Sequence, residues 1–426
     1  MNAKKIQLYW HLPCVILLGF GLAVLLLLAM GLAAGTGIAQ AYPDLPQAWT
    51  ETEPIPQKTT KYAFAQCVDD PDGFYVIGGG QAQGDPIDDA WHYDAGGDTW
   101  TELESLPVAL IHPAAACYEG KIYTAGGWQL PEPHVTDNLF IYDITSDTWT
   151  QGPDLPHVLW LASMGAWDGR LYLVGGTTGV YPSITPINHV DIYDIAAGAW
   201  TDQGGAPMPV AARTSGNAQV GPYLFIVGGG AISGHTNATQ RYDMSADAWE
   251  SGPTFTSARN APGLAATGTH LYAMGGDVDP STSLVLTDLV ETLDYSVWPG
   301  SSWSDLGDPL PDTYAGNFGG FCTEAVTGGE VWSVGGTIDN LVTITNTNYY
   351  RSAEACADFY FGNLAPEDSA DSDEPGETVT YALSIDNNGT QVDTYDITSS
   401  ASWTTTYSPI RLARWPRARA PRWSFR

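Results

Sequence analysis

Tyr172-Leu173-Val174-Gly175-Gly176 is followed by Tyr193-Asp194 and, seven residues after that tyrosine, by Trp200. A short β-rich run, a glycine pair and then two large aromatics at fixed spacing read as strands of one antiparallel sheet divided by turn residues. The phrase recurs six times. The other copies are Tyr75-Val76-Ile77-Gly78-Gly79, Tyr123-Thr124-Ala125-Gly126-Gly127, Phe225-Ile226-Val227-Gly228-Gly229, Tyr272-Ala273-Met274-Gly275-Gly276 and Trp332-Ser333-Val334-Gly335-Gly336. The first glycines lie 48, 49, 53, 47 and 60 residues apart. Tyr93/Trp100, Tyr142/Trp149 and Tyr242/Trp249 repeat the aromatic pair, and Asp294-Tyr295 with Trp303 is a degraded copy. A Leu-Pro or Pro-x-Pro turn usually follows the tryptophan, as at Leu106-Pro107, Leu155-Pro156 and Pro207-Met208-Pro209.

The physics of one unit explains the period. A double glycine ends a strand where backbones crowd, because no side chain fits and positive φ is accessible. The tyrosine and tryptophan give large apolar faces that pack one sheet on the next. One small sheet cannot bury both of its faces, so the units must stack, and radial stacking produces a propeller.

Residues 46–358 therefore resemble the kelch repeat family, of the galactose-oxidase-like central-domain superfamily, whose marks are the glycine doublet and the downstream Tyr and Trp at a period near fifty. The resemblance implies an all-β fold whose ring closes by combining strands from both chain ends in one blade. Trp49 followed by Pro54-Ile55-Pro56 looks like the outer strand of a unit that has no doublet, and the sixth unit has Tyr349-Tyr350 but no following Trp. The two fragments complete each other. The expectation is a six-bladed kelch β-propeller over residues 42–358, its last blade closed by the N-terminal strand, in a monomer.

Both ends depart from this pattern. Lys4 and Lys5 precede an apolar or glycine run from Cys14 to Ala34, and Ala39-Gln40-Ala41 supplies a small-x-small site. Residues 1–41 thus read as a secretory signal peptide or an uncleaved membrane anchor, and the chain as secreted or held at the cell surface. The acidic stretch of residues 359–377, with Glu367-Asp368-Ser369-Ala370-Asp371 at its centre, reads as a solvated linker and lacks the ligand spacing of an EF-hand. Val379, Tyr381, Leu383 and Ile385 alternate with polar residues before an Asn387-Asn388-Gly389 turn. With Trp403, residues 378–407 resemble the start of an immunoglobulin-like module, which needs about 100 residues to be complete. Residues 408–426 are Arg-rich: either a basic tail for an anionic surface or a frame-shifted or truncated end.

Composition limits the partners. All 48 acids but only eight of the 16 bases fall in residues 42–410. That surface repels phosphate backbones and excludes nucleic acid as a partner. Cys67, Cys117, Cys322 and Cys356 form no CxxC, and either pair as disulfides in an oxidising compartment or stay as buried thiols.

The chemistry is sparse. Seven histidines after the N-terminal segment (His92, His112, His134, His157, His189, His235, His270) fall in separate units or turns. No copper set of the galactose-oxidase type assembles from them, and neither metal nor cofactor is expected. Asp94 to Trp100 does not keep the spacing of a sialidase Asp-box. No nucleophile elbow, zinc-protease motif or phosphate loop occurs after the N-terminal segment. One constellation stands out 14–18 residues before each doublet, where the inner strand begins: Lys61, His112, Trp160, Arg213, Arg259 and Asn317. Three of the eight central bases on one ring suggest a site for a carboxylate, while the family habit of pairing such a base with a neighbouring blade's acid suggests scaffolding. The reading is a binding module for extracellular carbohydrate or protein, with Trp91, Trp128 and Tyr181 as contacts. The alternative is a sugar-processing enzyme resembling the sialate mutarotases, using Arg213, Arg259 and His112.

Overall fold

The computed structural model describes residues 49–356 except 82–83, 132–133, 181–182, 282–283, 316–321, 327 and 339–342. It also describes the two-residue strands Ala382–Leu383 and Trp423–Ser424, which pair antiparallel. The expectations for residues 1–41 and 359–377, and nearly all of those for 378–407 and 408–426, lie outside the described residues, as do Asn317 and Tyr181.

Six four-stranded antiparallel sheets follow one another. Blade 3 is typical: inner strand Ser163–Trp167, second strand Arg170–Val174, third strand Val190–Asp194 and outer strand Ala199–Thr201. The inner and second strands meet in a tight lower turn, as do the third and outer strands. The upper face carries the loops from second to third strand and the connectors to the next blade. In the sixth blade the outer position is filled by Thr50–Thr52, paired with Asn348–Tyr350. The closure expected from Trp49 is therefore present: its indole donates to Asp308 O at 3.5 Å.

Each recurring residue has a definable task. The second glycine of every doublet donates its N–H to a carbonyl of the next connector: Gly79 to Leu110, Gly127 to Leu159, Gly176 to Ala212, Gly229 to Arg259 and Gly276 to Tyr314. Gly336 donates to Thr59 and completes the circle. A Cβ on Gly126 would lie 2.2 Å from Leu159 O, and Gly127 has φ of 109°, a conformation suited only to glycine. The tryptophans work at the outer edge. Trp100, Trp149, Trp200, Trp249 and Trp303 donate their indole N–H to Glu53, Glu104, Pro153, Ala206 and Pro253 carbonyls of the preceding connector, at 2.7–3.1 Å. In blades 1 to 4 the tyrosine ring of the motif lies 4.8–5.1 Å from its tryptophan. In blade 5 the register places buried Leu293 in the tyrosine position, so Tyr295 belongs to the turn.

The cysteines pair. Cys67–Cys117 ties the inner strand of blade 1 to that of blade 2, and Cys322–Cys356 ties blade 6 to the segment beyond its third strand. Apolar clusters fill each blade-to-blade gap, for example Tyr172, Val174, Leu224, Ile226 and Tyr242 between blades 3 and 4. The central channel is nearly filled by inner-strand side chains. Gln66 reaches across to Cys322 O at 2.6 Å and Gln219 to Ala166 O at 2.6 Å. Two cavities along it measure ≈ 30 and ≈ 90 Å³. Drug-sized ligands need roughly 300 Å³ or more, and neither cavity reaches that size.

Candidate functional site at the channel mouth

The inner strands of blades 1 to 5 are each entered through one residue in the left-handed region: Lys61 (φ 61°), His112 (52°), Leu161 (60°), Thr214 (54°) and Ala261 (52°). The twist aims each N–H at the neighbouring blade. His112 donates to Lys61 O at 2.7 Å, Leu161 to His112 O at 3.2 Å, Thr214 to Leu161 O at 2.9 Å and Ala261 to Thr214 O at 3.0 Å. A collar of blade-to-blade hydrogen bonds thus frames the upper mouth. A left-handed conformation costs a non-glycine residue about 1–2 kcal/mol, and the bond it completes offsets about 1 kcal/mol.

This collar corrects the ring expected from the sequence. Lys61 and His112 belong to it. Trp160 and Arg213 lie one residue earlier, in single bridges to Thr177 and Gly230, and still border the mouth. Arg259 is two residues earlier and faces the interior, with no exposure at all. It pairs with Glu291, donates to Gly275 O (3.0 Å) and Leu289 O (3.1 Å), and lies over the Phe255 ring at 4.4 Å. Arg259 is scaffolding. Counting back from the doublet missed this because the Arg259 position is held by Leu110, Leu159 and Ala212 in other blades, and only the structure fixes that register. Trp91, expected as a contact, is partly buried against the core of blades 1 and 6, whereas Trp128 stacks on His134 at 5.1 Å.

The mouth has unusual electrostatics. Of the eight bases in residues 42–410, Lys121, Arg241, Arg259 and Arg351 each hold a carboxylate, and Lys58 and Arg170 are exposed to water. Lys61 and Arg213 are half-buried and have no carboxylate within ion-pairing distance among the described residues. Burial lowers the pKa of both, and no acid counters it. Between them, burial first and then the charges of Lys61 and Arg213 hold His112 well below the usual imidazole range, so its ring is neutral at pH 7. The Arg213 guanidinium lies over Gly230, where a Cβ would come within 3.0 Å of it, and its Nε has no partner. Trp160 closes the side beside His112, ring centroids 6.1 Å apart, with its indole N–H on Gly179 O.

Exposed aliphatic groups share this face. Leu130, Val180, Ile232 and Val285 project from the upper loops of blades 2 to 5, and Val158 and Val210 from the connectors. Of eight exposed large hydrophobics among the described residues, these six share the upper face and only Val297 and Val326 lie on lower turns. Ile232, at the tip of the small hairpin Gly230–His235, is 78 % exposed. No sequence pattern marks these residues, because a lone aliphatic in a loop carries no periodic signal.

The structure also brings two of the scattered histidines together. His157 lies between Asp191 and Asp202, with His189 packed edge-on against it at 5.6 Å.

Six four-stranded blades, the last closed by an N-terminal strand, define a six-bladed β-propeller. The kelch motif family matches residues 110–156 and 161–204, which span blades 2 and 3 and the connectors that flank them. Kelch-like protein 31 of Homo sapiens is 32 % identical over 93 residues, covering 20 % of this chain and 14 % of that protein. Blades 2 and 3 thus carry kelch motifs, and over that region the chain is similar to kelch repeat proteins.

Proposed function

We propose that the propeller is an exported interaction module whose upper face takes a protein partner, with a partner carboxylate seated between Lys61 and Arg213. The observation that carries this reading is the pair of half-buried cations without a counter-ion among the described residues, in a chain dominated by acids. An unpaired, partly buried charge is costly, and a ligand carboxylate relieves that cost while gaining charge-assisted hydrogen bonds. The aliphatic rim supports a protein partner over a bare sugar: apolar anchors around a charged centre suit a peptide surface. The two disulfides support export, since such bonds persist in oxidising compartments.

Acidic sugars present the same carboxylate, and Trp160 offers them an aromatic wall, so a glycan is the second reading. An isomerase needs a convergent acid–base pair. The small cavity lined by Tyr62, Phe64, His112, Leu161, Met164, Thr214 and neighbours has no carboxylate in its described lining and so supplies no such pair.

The test is a binding titration of the full chain against displayed peptides pairing Asp or Glu with aliphatic residues, with Asn/Gln counterparts and a glycan array in parallel. Binding should require the carboxylate, weaken with salt and fall at least ~10-fold in Lys61→Ala plus Arg213→Ala. Binding confined to the array would select the glycan reading. Ligands that bind the folded double variant unchanged would remove the mouth as the site.

A further inference from the structure

Blade 3 carries an unsatisfied polar cluster at its upper outer edge. Register places Asp191, Gln240 and Glu291 at equivalent positions, second in the third strand. Two of the three are fully engaged. Gln240 exchanges two hydrogen bonds with the Val210 backbone, at 2.7 and 3.1 Å, and Glu291 holds Arg259 and Thr256. Asp191 is different. Its side chain is 1 % exposed, and its Oδ1 accepts the Gln203 N–H at 2.8 Å. Its Oδ2 faces His157 Nε2 at 3.3 Å, yet that nitrogen is buried and makes no hydrogen bond. His157 Nδ1 lies 3.6 Å from Asp202 Oδ1, and the buried Nδ1 of His189 also has no partner. Ligand atoms from His157, Asp191 and Asp202 all fall within 4.8 Å of one another.

We propose that His157, Asp191 and Asp202, with His189 beside them as a fourth donor, bind a divalent first-row transition ion of the Zn²⁺ class. A buried carboxylate aimed at an imidazole nitrogen without bonding to it leaves both groups short of a partner, and a cation between them satisfies both. Two imidazoles with two carboxylates suit Zn²⁺ and its neighbours, whereas Ca²⁺ takes six to eight oxygens. The donors come from four segments: the connector into blade 3, its upper loop, its third strand and the end of its outer strand. An ion there would pin the loop that carries Val180 to the body of the blade. The sequence hides this site because residues 157, 189, 191 and 202 match no compact spacing.

The experiment uses the full chain, stripped with EDTA and dialysed, titrated with Zn²⁺ in a calorimeter and with Co²⁺ by visible absorption. One equivalent should bind with micromolar or tighter affinity, raise Tm and give intense Co²⁺ d–d bands. Asp191→Asn and His157→Ala should each weaken binding by about 100-fold or more, and His134→Ala should leave it unchanged. Asp202→Asn guards against misfolding, since that carboxylate is 56 % exposed, and should still cost at least ~10-fold. Absence of binding below millimolar Zn²⁺, or unchanged binding in Asp202→Asn, overturns the proposal.

Discussion

At the scale of the residue, the repeat contains a small conditional rule. Two residues before the motif tryptophan stand Asp98, Asp147, Gly198 and Asp247 in blades 1 to 4, all with φ of 48–63°. Each aspartate accepts the tyrosine hydroxyl of its own blade at 2.6–2.7 Å. It also accepts a backbone N–H from the preceding connector: Glu53 on Asp98, Glu104 on Asp147 and Ala206 on Asp247. The residue that donates is the one whose carbonyl takes the tryptophan indole. In blade 3 that residue is Pro153, and in blade 5 it is Pro253. Proline has no N–H to give, and those two blades have Gly198 and Ser301 where the others have aspartate. The aspartate is present where its donor is present. Gly198→Asp alone should therefore change Tm little, because only the Tyr193 hydroxyl can answer it. With Pro153→Ala the same change should stabilise, giving a favourable coupling in a double-mutant cycle read by thermal unfolding. Additive effects would show that the aspartate serves the left-handed turn alone.

At the scale of the element, the chain's acidity loses much of its functional weight. Asp94, Asp143, Asp194, Asp243 and Asp294 each cap a lower turn by accepting backbone N–H groups two or three residues on. Turn building therefore accounts for part of a charge that composition alone suggests is a surface property. Blade closure, by contrast, was legible in the sequence: Trp49 lacked a doublet and the sixth unit lacked a tryptophan, and the two deficits cancel only in a ring. The strand Thr50–Thr52 should be essential although it is short. Without it the edge Asn348–Ser352 stands open beside blade 5, and an unpaired edge invites aggregation. Removing residues 1–53 should give a chain that unfolds with low cooperativity and elutes as aggregates in size-exclusion chromatography. Removing residues 1–46 keeps the strand and should preserve a single sharp transition. Equal stability of the two truncations would mean that the ring closes by other contacts.

At the scale of the whole molecule, the fold was written in features that repeat, and the candidate site in features that do not. Six doublets specify six blades because each meets the same steric demand. The mouth residues share a ring but not a register: a one- or two-residue offset separates collar (Lys61, His112), bridge (Trp160, Arg213) and core (Arg259). Counting along the chain cannot resolve that offset, since connector length varies and only the blade-to-blade hydrogen bonds set it. The same asymmetry separates stability from recognition. Where a base serves the scaffold it is paired, as Arg259 with Glu291 and Arg351 with Asp308 are. Lys61 and Arg213 are desolvated and have no carboxylate partner among the described residues, so they weaken the free fold. Burial lowers their pKa values in the folded state, which by linkage means the charged forms are disfavoured there. Replacing them by apolar residues of similar length, Lys61→Met with Arg213→Met, should therefore raise Tm by roughly 2 °C or more. The same double substitution should abolish capture of acidic ligands. A gain in stability together with loss of binding is the signature of charges kept for a partner. A loss of stability would instead show that the two cations hold the collar together, and the docking surface would have to be sought on the aliphatic rim alone.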